Sequence, residues 1–269
     1  MTTDTRPPVR LLQISDLHCF ADDDSPLFWS SLPVQPNRQL SRLLTHLQQL
    51  PTAYDALVIS GDLVQEETAA TYERLGQLLE GIRLPVYVLP GNHDVPPLMR
   101  AHLHNATGQL HYQPQARIGS WQLLFLDTSK PGHPNGHLEP EKLALLTRQL
   151  VAGQDPTLIF MHHHPVPISS PWMDHVGLQQ TEPFWQLLAH YPQVRAIGFG
   201  HIHNAFETRI ETAPGISVQV CGTPASCVQL GHETEKMTVL HTRPGWREWV
   251  LSADGSVLTQ THYLPSGSE

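Results

Sequence analysis

The sequence predicts one α/β domain, a sheet with helices packed on its faces, and three observations carry that prediction. Short apolar runs of strand length alternate with longer segments whose leucines recur at helical spacing. No linker, internal repeat or low-complexity stretch interrupts the chain. Its 269 residues are also enough to bury a substantial core without disulfide staples.

Val9 to Ile14 reads as a buried strand that stops at Ser15-Asp16-Leu17-His18. Asn37 to Leu50 carries leucines at 40, 43, 44, 47 and 50, one face of a helix. Ala56 to Ser60 is a strand leading to Gly61-Asp62, and Thr68 to Leu79 is a helix. Pro85 to Leu89 is a strand delivering Gly91-Asn92-His93-Asp94, after which Pro96 to His104 starts another helix. Trp121 to Leu126 is a strand; Glu139 to Val151 is a helix with Pro140 in its first turn, where the missing N–H costs nothing. Thr157 to Met161 runs into His162-His163-His164, and Val194 to Phe199 into Gly200-His201-Ile202-His203. From about Ile210 the helices stop. Ile216 to Cys221, Met237 to Thr242, Trp246 to Ser252 and Val257 to Tyr263 read as strands, with Asp254-Gly255 a hairpin turn between the last two. The domain is expected to span residues 9–265, preceded by a loose N-terminus at 1–8.

Composition narrows the function. A formal charge of -9 argues against a protein that wraps duplex nucleic acid, since that affinity comes from lysine and arginine neutralising many phosphates. Three cysteines, Cys19, Cys221 and Cys227, with no CxxC pair, argue against a disulfide framework and a thiolate zinc site. No secretory or membrane-spanning segment is visible, and a cytoplasmic location is expected. The outlying number is 18 histidines.

Their positions matter more than their number. Asp16 and His18, Asp62, Asn92 and His93, His162, and His201 and His203 all follow predicted strands, and ligands of open α/β sheets bind beyond the carboxyl ends of the strands. The i, i+2 spacing of Asp16/His18 and His201/His203 would, on an extended strand end, turn both side chains to one side, so that each pair could grip one ion. Imidazole, carboxylate and amide donors without thiolate suit manganese, iron or zinc. Each motif alone is commonly a plain turn, and Asp22-Asp23-Asp24 reads as a solvated loop; the ordered set is what points to a metal site.

That ordered set, Asp16-x-His18, Gly61-Asp62, Gly91-Asn92-His93-Asp94, His162 before Pro165, and Gly200-His201-x-His203, resembles the calcineurin-like metallophosphoesterases. The resemblance implies a double β-sandwich flanked by helices, an αββα arrangement in which the strands beyond about 210 complete the second sheet. His162-His163-His164-Pro165, Trp172-Met173-Asp174-His175, Thr223 to Gln229 and Pro244-Gly245-Trp246-Arg247 are similar to one branch of that family, the bacterial class III cyclic-AMP phosphodiesterases.

Residue by residue, the resemblance implies that Asp16, His18 and His203 bind one metal and Asn92, His162 and His201 the other, with Asp62 bridging; His163 stays open as an alternative to His162. The ions would be iron, manganese or both, with zinc as the alternative, and would supply a shared hydroxide as nucleophile. His93 would be catalytic rather than ligating, contacting the phosphate or protonating the leaving oxygen, with Asp94 orienting it. Asn92, His93 and His203 would also face the phosphate. Trp172, in the loop that follows the His162 strand, reads as a residue that stacks on the base or else closes that loop over the core. The implied reaction is hydrolysis of 3',5'-cyclic AMP to 5'-AMP. A broader phosphodiesterase acting on 2',3'-cyclic nucleotides or glycerophosphodiesters is the alternative, and a binding module that has lost its chemistry is disfavoured by the full ligand set. Oligomeric state is not legible.

Overall fold

The computed structural model describes residues 6–265. Of the expected loose N-terminus, residues 1–5 lie outside the described residues, and Arg6, Pro7 and Pro8 precede the first strand without regular structure. The strands are β1 Val9–Ile14, β2 Ala56–Ser60, β3 Val86–Leu89, β4 Leu110–His111, β5 Gln115–Ile118, β6 Trp121–Leu126, β7 Thr157–Met161, β8 Val194–Phe199, β9 Phe206–Ala213, β10 Ile216–Gly222, β11 Gln229–Gly231, β12 Thr238–His241, β13 Gly245–Leu251 and β14 Val257–Tyr263. The helices are α1 Pro36–Gln48, α2 Ala69–Leu78, α3 Pro96–His102, α4 Pro140–Val151 and α5 Thr181–Leu188.

Two six-stranded sheets form, ordered β14-β13-β1-β2-β3-β4 and β5-β6-β7-β8-β10-β9, beside a small β11-β12 ribbon. The alternation along each strand decides the layers. In β1, Val9 and Leu11 point into a core shared by both sheets, with Val58, Leu89, Trp121, Phe125, Phe160 and Trp249. Leu12 and Ile14 point the other way, onto leucines 40, 43, 44 and 47 of α1 and Tyr72 and Leu75 of α2. The second sheet turns Leu124, Leu126, Ile159 and Ile197 toward Leu146 and Leu150 of α4 and Phe184 and Leu188 of α5. The result is the four-layer αββα double sandwich. Its sheets are parallel over β1-β2-β3-β4 and β6-β7-β8-β10, so the carboxyl ends of those strands come out on one rim.

Two expectations change. Only β9 and β10 of the late strands join the second sheet; β13 pairs antiparallel with β1 of the first and carries β14 with it. Trp249 and Leu251 enter the shared core there and cover an edge of β1 that would otherwise be left unpaired. Arg247, fully buried, ties the two sheets together by donating to Glu207 Oε1 at 2.7 Å, Gly222 O at 2.9 Å and Thr259 Oγ1 at 3.0 Å. The Pro244 to Arg247 stretch is thus architectural. In addition, α5, β4, β5, β9 and β11 were not expected from the sequence.

Candidate metal centre

The rim where β1, β2, β3, β7 and β8 end gathers the candidate ligands. Asp16, His18, Asp62, His162, His201 and His203 are all buried, while Asn92 and His93 are partly exposed at the mouth. His18 Nε2 lies 3.2 Å from His203 Nε2 and 3.7 Å from Asp62 Oδ2. His203 Nε2 is 3.4 Å from Asp16 Oδ1, and His162 Nε2 is 3.3 Å from Asp62 Oδ1 and 3.2 Å from Asn92 Oδ1. Close triads of donor atoms occur at Asp16/Asp62/His162, His18/Asp62/His93, His162/His163/His201 and His18/His203/Cys227. Asp62 stands in two of these. The pair His201/His203 is divided: His203 faces His18, and His201 faces His162.

The backbone achieves this convergence in a way the spacing does not predict. Asp16, His18, Asp62, His201 and His203 have φ of 54°, 49°, 49°, 68° and 49°, five of the seven non-glycine residues with positive φ among the described residues. The i, i+2 pairs sit in left-handed turns rather than on extended strand ends. Each such residue costs about 1–3 kcal/mol and persists only where surrounding bonds over-determine it. Here Asp16 N donates to Gly61 O at 3.0 Å, His18 N to Asp62 O at 3.0 Å, and His201 N to both carboxylate oxygens of Asp16 at 3.1 and 3.0 Å. The glycines admit the close approach: a Cβ on Gly91 would run into Asp62 Oδ1, and one on Gly61 into the His162 ring.

Hydrogen bonds to backbone carbonyls set the imidazole tautomers, the usual arrangement around a ligating histidine. His162 Nδ1–H donates to Ser60 O at 2.8 Å and His203 Nδ1–H to Val228 O at 2.9 Å, which leaves each Nε2 lone pair turned inward. His201 Nε2–H donates to Val176 O at 3.1 Å, leaving Nδ1 as its free donor atom. His162 Nε2 is the atom that faces Asp62 and Asn92; His163 Nδ1 is bonded to Thr128 Oγ1 at 2.8 Å, and its Nε2 is buried without a hydrogen-bond partner, the residue grouping with His162 and His201.

Burial acts first on every group, holding His18 and His201 well below the usual imidazole range, with His93 adding to the effect at His18 and His163 at His201. Burial also raises Asp16. At His162 burial is overcome by Asp62, then Asp16, and its pKa rises to about 9. Despite its own burial, Asp62 is held well below the carboxylate range by His162 and His93.

These residues fit a metal centre. The inward Nε2 atoms of His162 and His203 lie 3.2 to 3.4 Å from Asn92 Oδ1, Asp16 Oδ1 and His18 Nε2, an arrangement that a shared cation would satisfy. His18 Nδ1 is buried without a hydrogen-bond partner. Imidazoles with two buried carboxylates and an amide oxygen form a hard-to-borderline donor set suited to iron, manganese or zinc.

Two expected residues stand differently. Asp94 does not hold the His93 ring: Oδ2 accepts from Gly91 N at 2.8 Å and Leu63 N at 3.1 Å, and Oδ1 from Tyr72 OH at 3.2 Å. It fixes the Gly91–Asp94 turn against the Asp62 loop, while His93 N donates to Asp62 Oδ1 at 2.9 Å and the His93 ring leans edge-on against His18. Trp172 stacks on His232 at 5.7 Å and donates to Gly231 O at 3.4 Å. The indole that touches the site histidines is Trp29, which sequence reasoning missed because nothing around it has a motif's spacing.

A double sandwich whose strand ends gather imidazoles and carboxylates on one rim is the architecture of a phosphoesterase. The family described as calcineurin-like phosphoesterase matches residues 9–205, and the chain belongs to it; members are binuclear metal enzymes. A curated 3',5'-cyclic adenosine monophosphate phosphodiesterase CpdA from Vibrio vulnificus is 33% identical over 262 residues, 97% of this chain and 92% of its own length. A CpdA phosphodiesterase from Haemophilus influenzae is 33% identical over 259 residues, 95% of this chain and 90% of its own. Among solved structures, a dimetal phosphatase from Danio rerio matches with a TM-score of 0.63 at 14% identity, covering 94% of this chain and 99% of that one, a likeness of fold. No helix among the described residues is long and apolar enough to cross a membrane.

Proposed function

We propose that this chain hydrolyses 3',5'-cyclic AMP to 5'-AMP with two bound metal ions, iron, manganese or both, in the cytoplasm. The observation that supports the metal chemistry is the pair of carbonyl-fixed histidines, His162 and His203, whose Nε2 atoms meet Asp62 and Asp16. The cyclic-nucleotide substrate is supported by the names of relatives that match along nearly the whole chain.

Asp16, His18 and His203 would hold one ion and Asn92, His162 and His201 the other, with Asp62 shared. Two divalent ions held there would supply Lewis acidity, lowering the pKa of water toward neutrality and drawing charge from the phosphoryl oxygens. The chain's own residues position and exchange protons. Asn92 and His203, at the mouth and on the inner wall, orient the phosphoryl group. As the new P–O bond from water forms, the bond to the 3' oxygen breaks, and that oxygen needs a proton. His93, partly exposed with its ring on His18, is the residue assigned to deliver it. Asp94 serves by holding the turn that carries Asn92 and His93.

A panel of 3',5'-cyclic AMP, 2',3'-cyclic AMP and a glycerophosphodiester, assayed on metal-loaded protein with products separated by chromatography, tests the reading. It expects cyclic AMP to be preferred and 5'-AMP to be released. Release of 3'-AMP would reverse the leaving group, and faster glycerophosphodiester cleavage would overturn the substrate.

A further inference from the structure

The loop between His18 and α1 contributes no ligand, yet it places an indole against the centre. The Trp29 ring lies 5.7 Å from His18 and 5.9 Å from His203, at interplanar angles of 80° and 67°. Its position is fixed from both sides. Trp29 Nε1 donates to Gln65 Oε1 at 3.1 Å, and Gln65 N is bonded to Cys19 O at 2.8 Å, on the segment that leaves Asp62. The loop is closed by Leu27 N to Val34 O at 3.0 Å and Ser30 N to Leu27 O at 3.1 Å, with Leu27 and Val34 buried beneath it. Trp29 itself is only partly buried, and its neighbour Phe28 is 78% exposed, so the loop carries aromatic surface to the mouth of the site.

We propose that Trp29 is a specificity-determining residue: its indole is the platform on which the purine of the substrate stacks while the phosphate sits at the metal centre. This rests on the cyclic-AMP reading given above. A base joined through one ribose to a phosphate at the centre falls within reach of a ring that touches two of the centre's histidines. Stacking suits an indole whose N–H is already satisfied, because it uses the ring face and needs no further polar partner. Trp172 stacks on His232, whereas the Trp29 ring contacts two candidate ligands of the centre, and that proximity singles out Trp29.

Four quantities are compared in metal-loaded wild type, Trp29→Ala and Trp29→Phe: KM for cyclic AMP, kcat/KM for bis(p-nitrophenyl) phosphate, and the inhibition constants of 5'-AMP and inorganic phosphate. Metal content and melting temperature are recorded for each. Trp29→Ala is expected to raise KM for cyclic AMP and the 5'-AMP constant by roughly 5- to 150-fold, with metal content, phosphate inhibition and the base-free substrate nearly unchanged. Trp29→Phe should recover most of the loss. Equal losses with and without a base, loss of metal, or no loss at all would overturn the proposal. Should wild type cleave bis(p-nitrophenyl) phosphate but not cyclic AMP, the substrate reading fails by itself, and the contrast between 5'-AMP and phosphate still decides the role of Trp29.

Discussion

Replacing Gly91 with alanine adds one methyl group to the centre and is expected to disable it. Gly91 does not need a positive φ, so alanine is conformationally acceptable there and any effect comes from contact. The new Cβ would run into Asp62 Oδ1 and the Asp62 backbone N, and would sit 2.8 Å from His162 Nε2. To reach ordinary contact His162 must withdraw by about 0.6 Å and Asp62 by more. Misplacement on the order of 1 Å costs about 10²-fold in rate. Overpacking of this kind costs about 1–3 kcal/mol, which for a chain of this length lowers the melting temperature by roughly 2–12 °C. The assay is metal analysis of Gly91→Ala beside cyclic AMP turnover and a thermal melt; fewer than two ions per chain and about a hundredfold lower kcat are expected. Wild-type metal content with wild-type turnover would refute the reasoning, because Asp62 could not then be the tightly packed ligand described here.

Asp62→Ala should lose more metal than any other ligand-to-alanine change, since Asp62 alone would touch both ions; metal analysis of the series decides, and loss of both ions from Asp16→Ala with retention in Asp62→Ala would contradict it. His93→Ala should keep both ions and lose about 10²- to 10⁴-fold in kcat on cyclic AMP, but less on a p-nitrophenyl ester, whose leaving group needs less protonation. Arg247→Met should destabilise the fold by about 2–4 kcal/mol in denaturant titration, because Gly222 O and Phe206 O lose their charged donor between the sheets. His241 is held below the usual imidazole range by burial and by Arg243. Below about pH 6.5 the unfolded chain therefore binds protons that the folded chain does not, and stability falls with falling pH; His241→Gln should flatten that slope in melts across pH 5–8.

The strands that deliver Asp16, Asp62, Asn92, His162 and His201 were legible because buried parallel strands are continuous apolar runs, and a polar cluster at their end stands out. Val9–Ile14, Ala56–Ser60, Thr157–Met161 and Val194–Phe199 agree with their expected ranges residue for residue. The partner of β13 was not legible, because alternating residues in β13 show which face is buried but not which sheet edge it joins. α5 is only eight residues long with Pro183 inside its first turn, too short for its periodicity to speak. In the centre, residue types could be read but not their conformations. Positive φ at Asp16 or His203 depends on bonds from segments distant in the chain, and each tautomer depends on a carbonyl such as Val228 O or Ser60 O. Trp29 escaped notice for the same reason: its contacts with His18 and His203 exist only once the loop before α1 has closed.

In the proposed reaction paired ions held through Asp62 do the chemistry, so activity and metal content should rise together in a metal titration. Protein stripped with a chelator is titrated with manganese or iron while bound metal and 5'-AMP release from cyclic AMP are measured on the same samples. Turnover should be absent without metal, should rise as the second ion binds and should level off at two ions per chain, with no such rise in Asp62→Ala. Full turnover in the metal-free protein, or the same titration curve in Asp62→Ala, would contradict it.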